Sequence, residues 1–219
     1  MQLFGPIDLG RALQMIVIIL IAIDIHELAH ALVADRLGDD TPRRLGEVSL
    51  NPFVHMDQVG LMLLVLTSLG SFAFTYGRTH ITPSNLKFGP QRGNAIVAVA
   101  GPLSNLAVAA ILGLVLSAYQ AGQLSFMDIN VANFLLLAMV LNILLFVFNL
   151  IPIPPLDGFT VLGGFLTARQ MYTLAPLQQW GPLIILVLFI ADPQIGVISG
   201  VITPIRDHIL QILCSACVG

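Results

Sequence analysis

"IDIHELAHAL", residues 23–32, sets Asp24, His26, Glu27 and His30 into a stretch that otherwise reads as lipid-soluble helix. The apolar run around it, Leu13 to Val33, is long enough to cross a bilayer, because roughly 20 helical residues match a hydrocarbon core of ~30 Å. Ionisable side chains at such a depth are costly, and they usually face a bundle interior or a water-filled cavity where they serve a function. The run reads as a span rather than a signal peptide, since no basic stretch precedes it and no small-residue cleavage site interrupts it.

The rest of the chain fits that medium. Of 219 residues, 57% are hydrophobic and only 10% charged, and the mean hydropathy is +0.91, a composition that indicates an integral membrane protein. The net charge of -3 and pI near 5.9 leave no basic face for nucleic acid. Further spans are expected at about Ala95–Ala118, Val131–Ile151 and Trp180–Ala191. The tail from Ile195 to Leu213 holds Pro204 and Arg206-Asp207-His208, so it is either a fifth span or an interfacial helix. No repeat, low-complexity tract or long polar segment marks off a soluble domain. The expectation is an all-α polytopic membrane protein of four to five transmembrane helices in a single domain over 1–219. Its core covers about residues 11–170, followed by C-terminal helices at about 177–213.

Residues 60–76, "GLMLLVLTSLGSFAFTY", are placed by the charges beside them. Arg36, Arg43 and Arg44 precede the segment, and Arg78, Lys87 and Arg92 follow it. A single crossing would put the two basic groups on opposite sides, against the tendency of Lys and Arg to collect in the cytosol. The segment therefore reads as entering and returning, a short helix before Gly70 leading into a strand at "SFAFTY". The loop around Gly122–Asn130 lacks Lys and Arg and is expected outside, which makes the first span run inward from an external N-terminus.

On a helix, His26 and His30 are one turn apart on one face, where both imidazoles can bind one zinc ion. Glu27 can reach a water on that ion without being a ligand, as the HExxH arrangement requires. A catalytic zinc site usually has three protein ligands, and Asp157 in "FNLIPIPPLDG", residues 148–158, is the candidate for the third. It follows a span that Pro152, Pro154 and Pro155 must break. The alternative is an ordinary turn aspartate before a glycine.

With these stretches in hand, the chain resembles the site-2 protease family, the intramembrane zinc metalloproteases of peptidase family M50. The resemblance rests on "HELAH", on "AGPLSN" at residues 100–105, on "NLIPIPPLDG" ending a third span, and on "VSLNPFVHMD" at residues 48–57. It covers roughly residues 14–170 and is strongest for short bacterial members without a PDZ or CBS domain. Carried over by position, it implies that His26, His30 and Asp157 bind zinc and that Glu27 activates water. Asn149, eight residues before Asp157, would hold substrate or stabilise the oxyanion. It further implies single-span membrane protein substrates, a bacterial inner-membrane location and an active site toward the cytosol. One departure is "TYGRTHI" at residues 75–81, where short members carry a Trp-Ala-Lys-Pro-Val-like strand, and it bears on the strand that contacts substrate. An inactive membrane binding or chaperone relative, and a metal transporter, are the competing readings.

Other polar residues carry two readings each. Asp24 is either a hydrogen-bonding neighbour of the site or a paired carboxyl inside the bundle. His55 either approaches the site from the dipping loop or lies only in a connection, with Asp57 as a helix N-cap. Gly101, Pro102 and Ser104 permit close helix approach, and Asn105 can bridge helices. Cys214 and Cys217 form a terminal CxxC that reads as two reduced thiols near the cytosol.

Overall fold

The computed structural model describes residues 9–56, 58–69 and 77–218, and every regular element among them is helical. The chain clusters into two compact units, Met1–Gly101 and Pro102–Gly219.

The first unit is organised by α1, Leu9–Arg36, a helix of 28 residues. Leu9, Leu13, Val17 and Ile21 recur every fourth position and are exposed, which gives α1 one apolar stripe suited to lipid. Its opposite side buries Ile18, Ile19, Ala22 and Ile23, and then Asp24, His26, Glu27 and His30. The polar quartet thus faces protein, as its desolvation cost demands. Helices packed against α1 include α2 (Thr41–Arg44), α3 (Pro52–His55) and α4 (Gln58–Leu69). Asn51 caps α3 by accepting from Phe53 N at 3.2 Å. The helix α5, Pro90–Gln120, begins in this unit, where its Val97 packs with Ala34 and Leu86 in a small core.

Asp39, just past α1, fastens the connection to a distant turn. It is fully buried, which by itself raises a carboxyl pKa. Hydrogen bonds outweigh that cost and hold it below the usual carboxylate range. The donors are Thr41 Oγ1 at 2.6 Å, Thr82 N at 2.6 Å, Thr41 N at 3.2 Å and Asn85 Nδ2 at 3.2 Å.

The second unit contains the remainder of α5 and then α6 (Ile129–Asn149), α7 (Asp157–Gly163), α8 (Ala168–Thr173), α9 (Ala175–Ile195) and α10 (Val197–Leu213). Ala109 and Leu116 of α5, Met139, Ile143 and Val147 of α6 and Ile202 of α10 share its core. Asn105 bridges α5 to α6, donating to Asn142 Oδ1 at 3.1 Å while Asn142 donates to Ala138 O at 2.9 Å. Such interhelical bonds in membrane proteins contribute on average about 0.6 kcal/mol. Asp128 caps α6 through Asn130 N at 2.7 Å. At its other end, α6 stops at Asn149 before the proline-rich turn. The turn doubles back tightly, because a Cβ at Gly158 would lie 2.2 Å from the Leu150 carbonyl oxygen.

Among the described residues, three helices have the length and apolarity to cross a membrane: Leu9–Arg36, Pro90–Gln120 and Ile129–Asn149. The expected fourth span, Trp180–Ala191, falls within α9. The helix α4 is described over Gln58–Leu69. Gly70, the strand expected at Phe72–Tyr76 and the capping role weighed for Asp57 lie outside the described residues. The expectation of two reduced thiols is corrected. Cys214 and Cys217 form a disulfide, because the chain leaves α10 at Cys214 and a short 3-10 turn brings the two Cα atoms to 5.3 Å.

Candidate metal centre

His26 and His30 occupy successive turns of α1 with ring centroids 4.7 Å apart and planes at 85°. Both are buried. His30 Nδ1 lies 2.8 Å from Val97 O, and a carbonyl can only accept, so Nδ1 carries a proton and, in the neutral ring, Nε2 holds the lone pair. A second hydrogen bond of this kind on a metal-binding imidazole fixes its tautomer and orientation. The packing of α5 leaves room at the Nε2 end. A Cβ built on Gly101 would lie 2.4 Å from His30 Nε2 and 2.5 Å from His26 Nε2. Both donors therefore converge on the space that glycine leaves open. The donor chemistry and this cradle fit zinc. Gly101 entered the sequence reading as a packing residue, but the structure makes it the wall of the histidine pair.

Glu27 is buried beside His26 and is approached by the segment after residue 76. Thr79 Oγ1 donates to Glu27 Oε2 at 2.8 Å and lies 3.1 Å from the Glu27 carbonyl oxygen. Asp24 and His55 turn to each other, with His55 Nε2 3.8 Å from Asp24 Oδ1 and 3.2 Å from Ser49 O. Both are buried, and Asp24 Oδ1 and His55 Nδ1 have no hydrogen-bond partner among the described residues. Asp24 and His55 thus lie within ion-pair distance of each other.

Asp157 and Asn149 belong to the second unit. Asp157 is the first residue of α7, directly after the proline-rich turn, in a half-buried position. Asn149 ends α6, with Nδ2 donating to Leu145 O at 3.0 Å.

A buried histidine pair with a neighbouring carboxylate, on a helix with the length and apolarity to span a membrane, is an arrangement suited to holding a metal ion. Comparison with known families agrees: the model for Peptidase family M50 matches residues 14–191, and the chain belongs to that family. Curated relatives carry the name "Putative zinc metalloprotease". YwhC of Bacillus subtilis is 31% identical over 215 residues, covering 96% of this chain and 94% of YwhC. Rip2 of Mycolicibacterium smegmatis is 34% identical over 176 residues, 78% of this chain and 64% of that protein. Rip2 of Mycobacterium tuberculosis H37Rv is 31% identical over 188 residues, 84% and 69% of the two chains. No solved structure matches. Family and helices together make this an integral membrane metallopeptidase whose metal is zinc.

Proposed function

We propose that this chain is an intramembrane protease of the site-2 type that hydrolyses peptide bonds in or near the transmembrane segments of single-span membrane proteins. The observation that carries the reading is the convergence of two buried imidazole Nε2 atoms beside Gly101, next to Glu27, within a helix of membrane-spanning length. In this reading His26, His30 and Asp157 are the zinc ligands, Glu27 is the general base and Asn149 serves the oxyanion. Two imidazoles and one carboxylate make a donor set typical of hydrolytic zinc, which keeps a fourth position open. Asp157 supports its assignment by position, since it follows the point where the Pro152–Pro155 turn ends a span and frees a carboxylate from regular helix.

Zinc, when bound, polarises the scissile carbonyl and acidifies the attacking water toward a pKa of about 7. Glu27 takes the proton of that water and passes it to the leaving amine. His30, through Val97 O, keeps its imidazole in the ligand tautomer throughout. Asn149 donates an amide N–H to the charge that develops on the carbonyl oxygen. The substrate must unwind before attack, because helical carbonyls are bonded four residues along. A dipping segment over residues 60–76, between two basic groups that would then share the cytosolic side, belongs to the same reading. Arg36, Arg43, Arg44, Arg78, Lys87 and Arg92 support a cytosolic orientation in a bacterial inner membrane.

The test reconstitutes the protein in liposomes with a panel of single-span substrates and follows both cleavage and zinc entry. Cleavage by the wild type, lost in Glu27→Gln, supports the protease. Zinc flux without cleavage would turn the assignment to a transporter.

A further inference from the structure

The segment Gly77–Thr82 is fastened on both sides of Thr79. Arg78 N donates to His55 O at 2.8 Å, His80 N donates to Glu47 Oε2 at 2.8 Å, and Thr82 N donates to Asp39 Oδ2 at 2.6 Å. The His80 ring also bonds the second Glu47 oxygen. Glu47 and Asp39 are both buried, so the anchors are shielded from competing water. Between them a hydroxyl meets the Glu27 carboxylate: Thr79 Oγ1 lies 2.8 Å from Glu27 Oε2. Gly77 closes the other flank, since a Cβ there would lie 2.6 Å from Glu27 Cγ and 2.8 Å from Oε1.

We propose that Thr79 is a positioning residue for peptide hydrolysis, its hydroxyl fixing the rotamer of the Glu27 carboxylate from a backbone segment clamped at His55, Glu47 and Asp39. The inference rests on Glu27 being the general base. A glutamate has three side-chain torsions, and an unrestrained carboxylate samples orientations that do not face the attacking water. A donor to Oε2 makes the two oxygens unequal and holds the plane of the group. The role is not one of binding zinc or substrate, so its loss lowers turnover and leaves both of those intact.

Thr79→Val keeps the shape and deletes the hydroxyl, while Thr79→Ser keeps the hydroxyl. Each purified variant is assayed for kcat and KM on a cleaved single-span substrate and for zinc per chain. Thermal midpoints are also taken for Thr79→Val, Glu27→Ala and the double variant. The expected result is a kcat for Thr79→Val lower by about tenfold with KM unchanged, as for a lost orienting contact to a general base. Zinc content should not change, and Thr79→Ser should stay within about twofold of wild type by the same reasoning. The midpoint changes should be non-additive, the signature of direct contact. Wild-type kcat in Thr79→Val together with additive midpoints would overturn the role of Thr79 and leave the protease intact. A wild type no more active than Glu27→Gln would instead defeat the protease reading and the positioning role with it, whatever the midpoints show.

Discussion

A methyl group at position 101 would sit 2.4 and 2.5 Å from the two histidine Nε2 atoms. Gly101→Ala should therefore yield a folded protein that retains little zinc, measured by elemental analysis after purification, whereas an unaltered zinc content would show that the metal binds elsewhere. Asp157 and Asn149 should fail differently. Asp157→Ala removes an anionic ligand, and zinc should bind more weakly, with activity following metal occupancy. Asn149→Ala should keep its zinc, since a neutral amide is a poor ligand, and lose about 10²–10³ in turnover, as for the loss of one oxyanion donor. Metal analysis beside a cleavage assay at saturating zinc separates the two. His26, Glu27 and His30 were legible in the sequence because they lie within five residues of one helix, where spacing alone sets their mutual geometry. The contacts of Gly101 and Thr79 were not, because each meets α1 across more than 50 residues of chain, a matter of tertiary packing.

Among the elements, the end of α1 carries the most polar wiring. Asp39 is buried and bonded by Thr41, Thr82 and Asn85, which holds its carboxyl below the usual range. A depressed folded-state pKa means that the carboxylate stabilises the fold above its unfolded value of about 3.9. That contribution is lost as pH falls through the still lower folded value. Unfolding followed against pH should show an acid-side loss of stability in wild type that is reduced in Asp39→Asn. An identical acid limb in both would remove Asp39 from the account. The variant should also cost about 1–3 kcal/mol at neutral pH, since donors are left imperfectly paired. The α4 segment makes a separate prediction. Cysteines placed near Arg43 and near Lys87 should both label from the cytosolic side, and labelling from opposite sides would make residues 60–76 a true span. The long helices were legible because apolar length is a local property, and α9 was legible as a helix but not in its full extent. The Cys214–Cys217 disulfide was not, since a CxxC spacing is equally compatible with thiols until the turn after α10 is known.

For the molecule as a whole, the proposed function requires a zinc centre that works on peptide bonds inside a membrane. Three apolar helices supply the medium, a buried histidine pair supplies the donors, and membership of Peptidase family M50 supplies the chemistry. The two competing roles, an inert binding module and a metal carrier, have no need of Glu27. The measurement that reaches this most directly takes purified wild type and Glu27→Gln, determines zinc per chain in both, and incubates each with a single-span substrate in detergent. The account predicts equal zinc in the two proteins, with cleavage by wild type alone, because the amide leaves the ligands in place and removes the base. Undiminished cleavage by the zinc-loaded Glu27→Gln protein would contradict it.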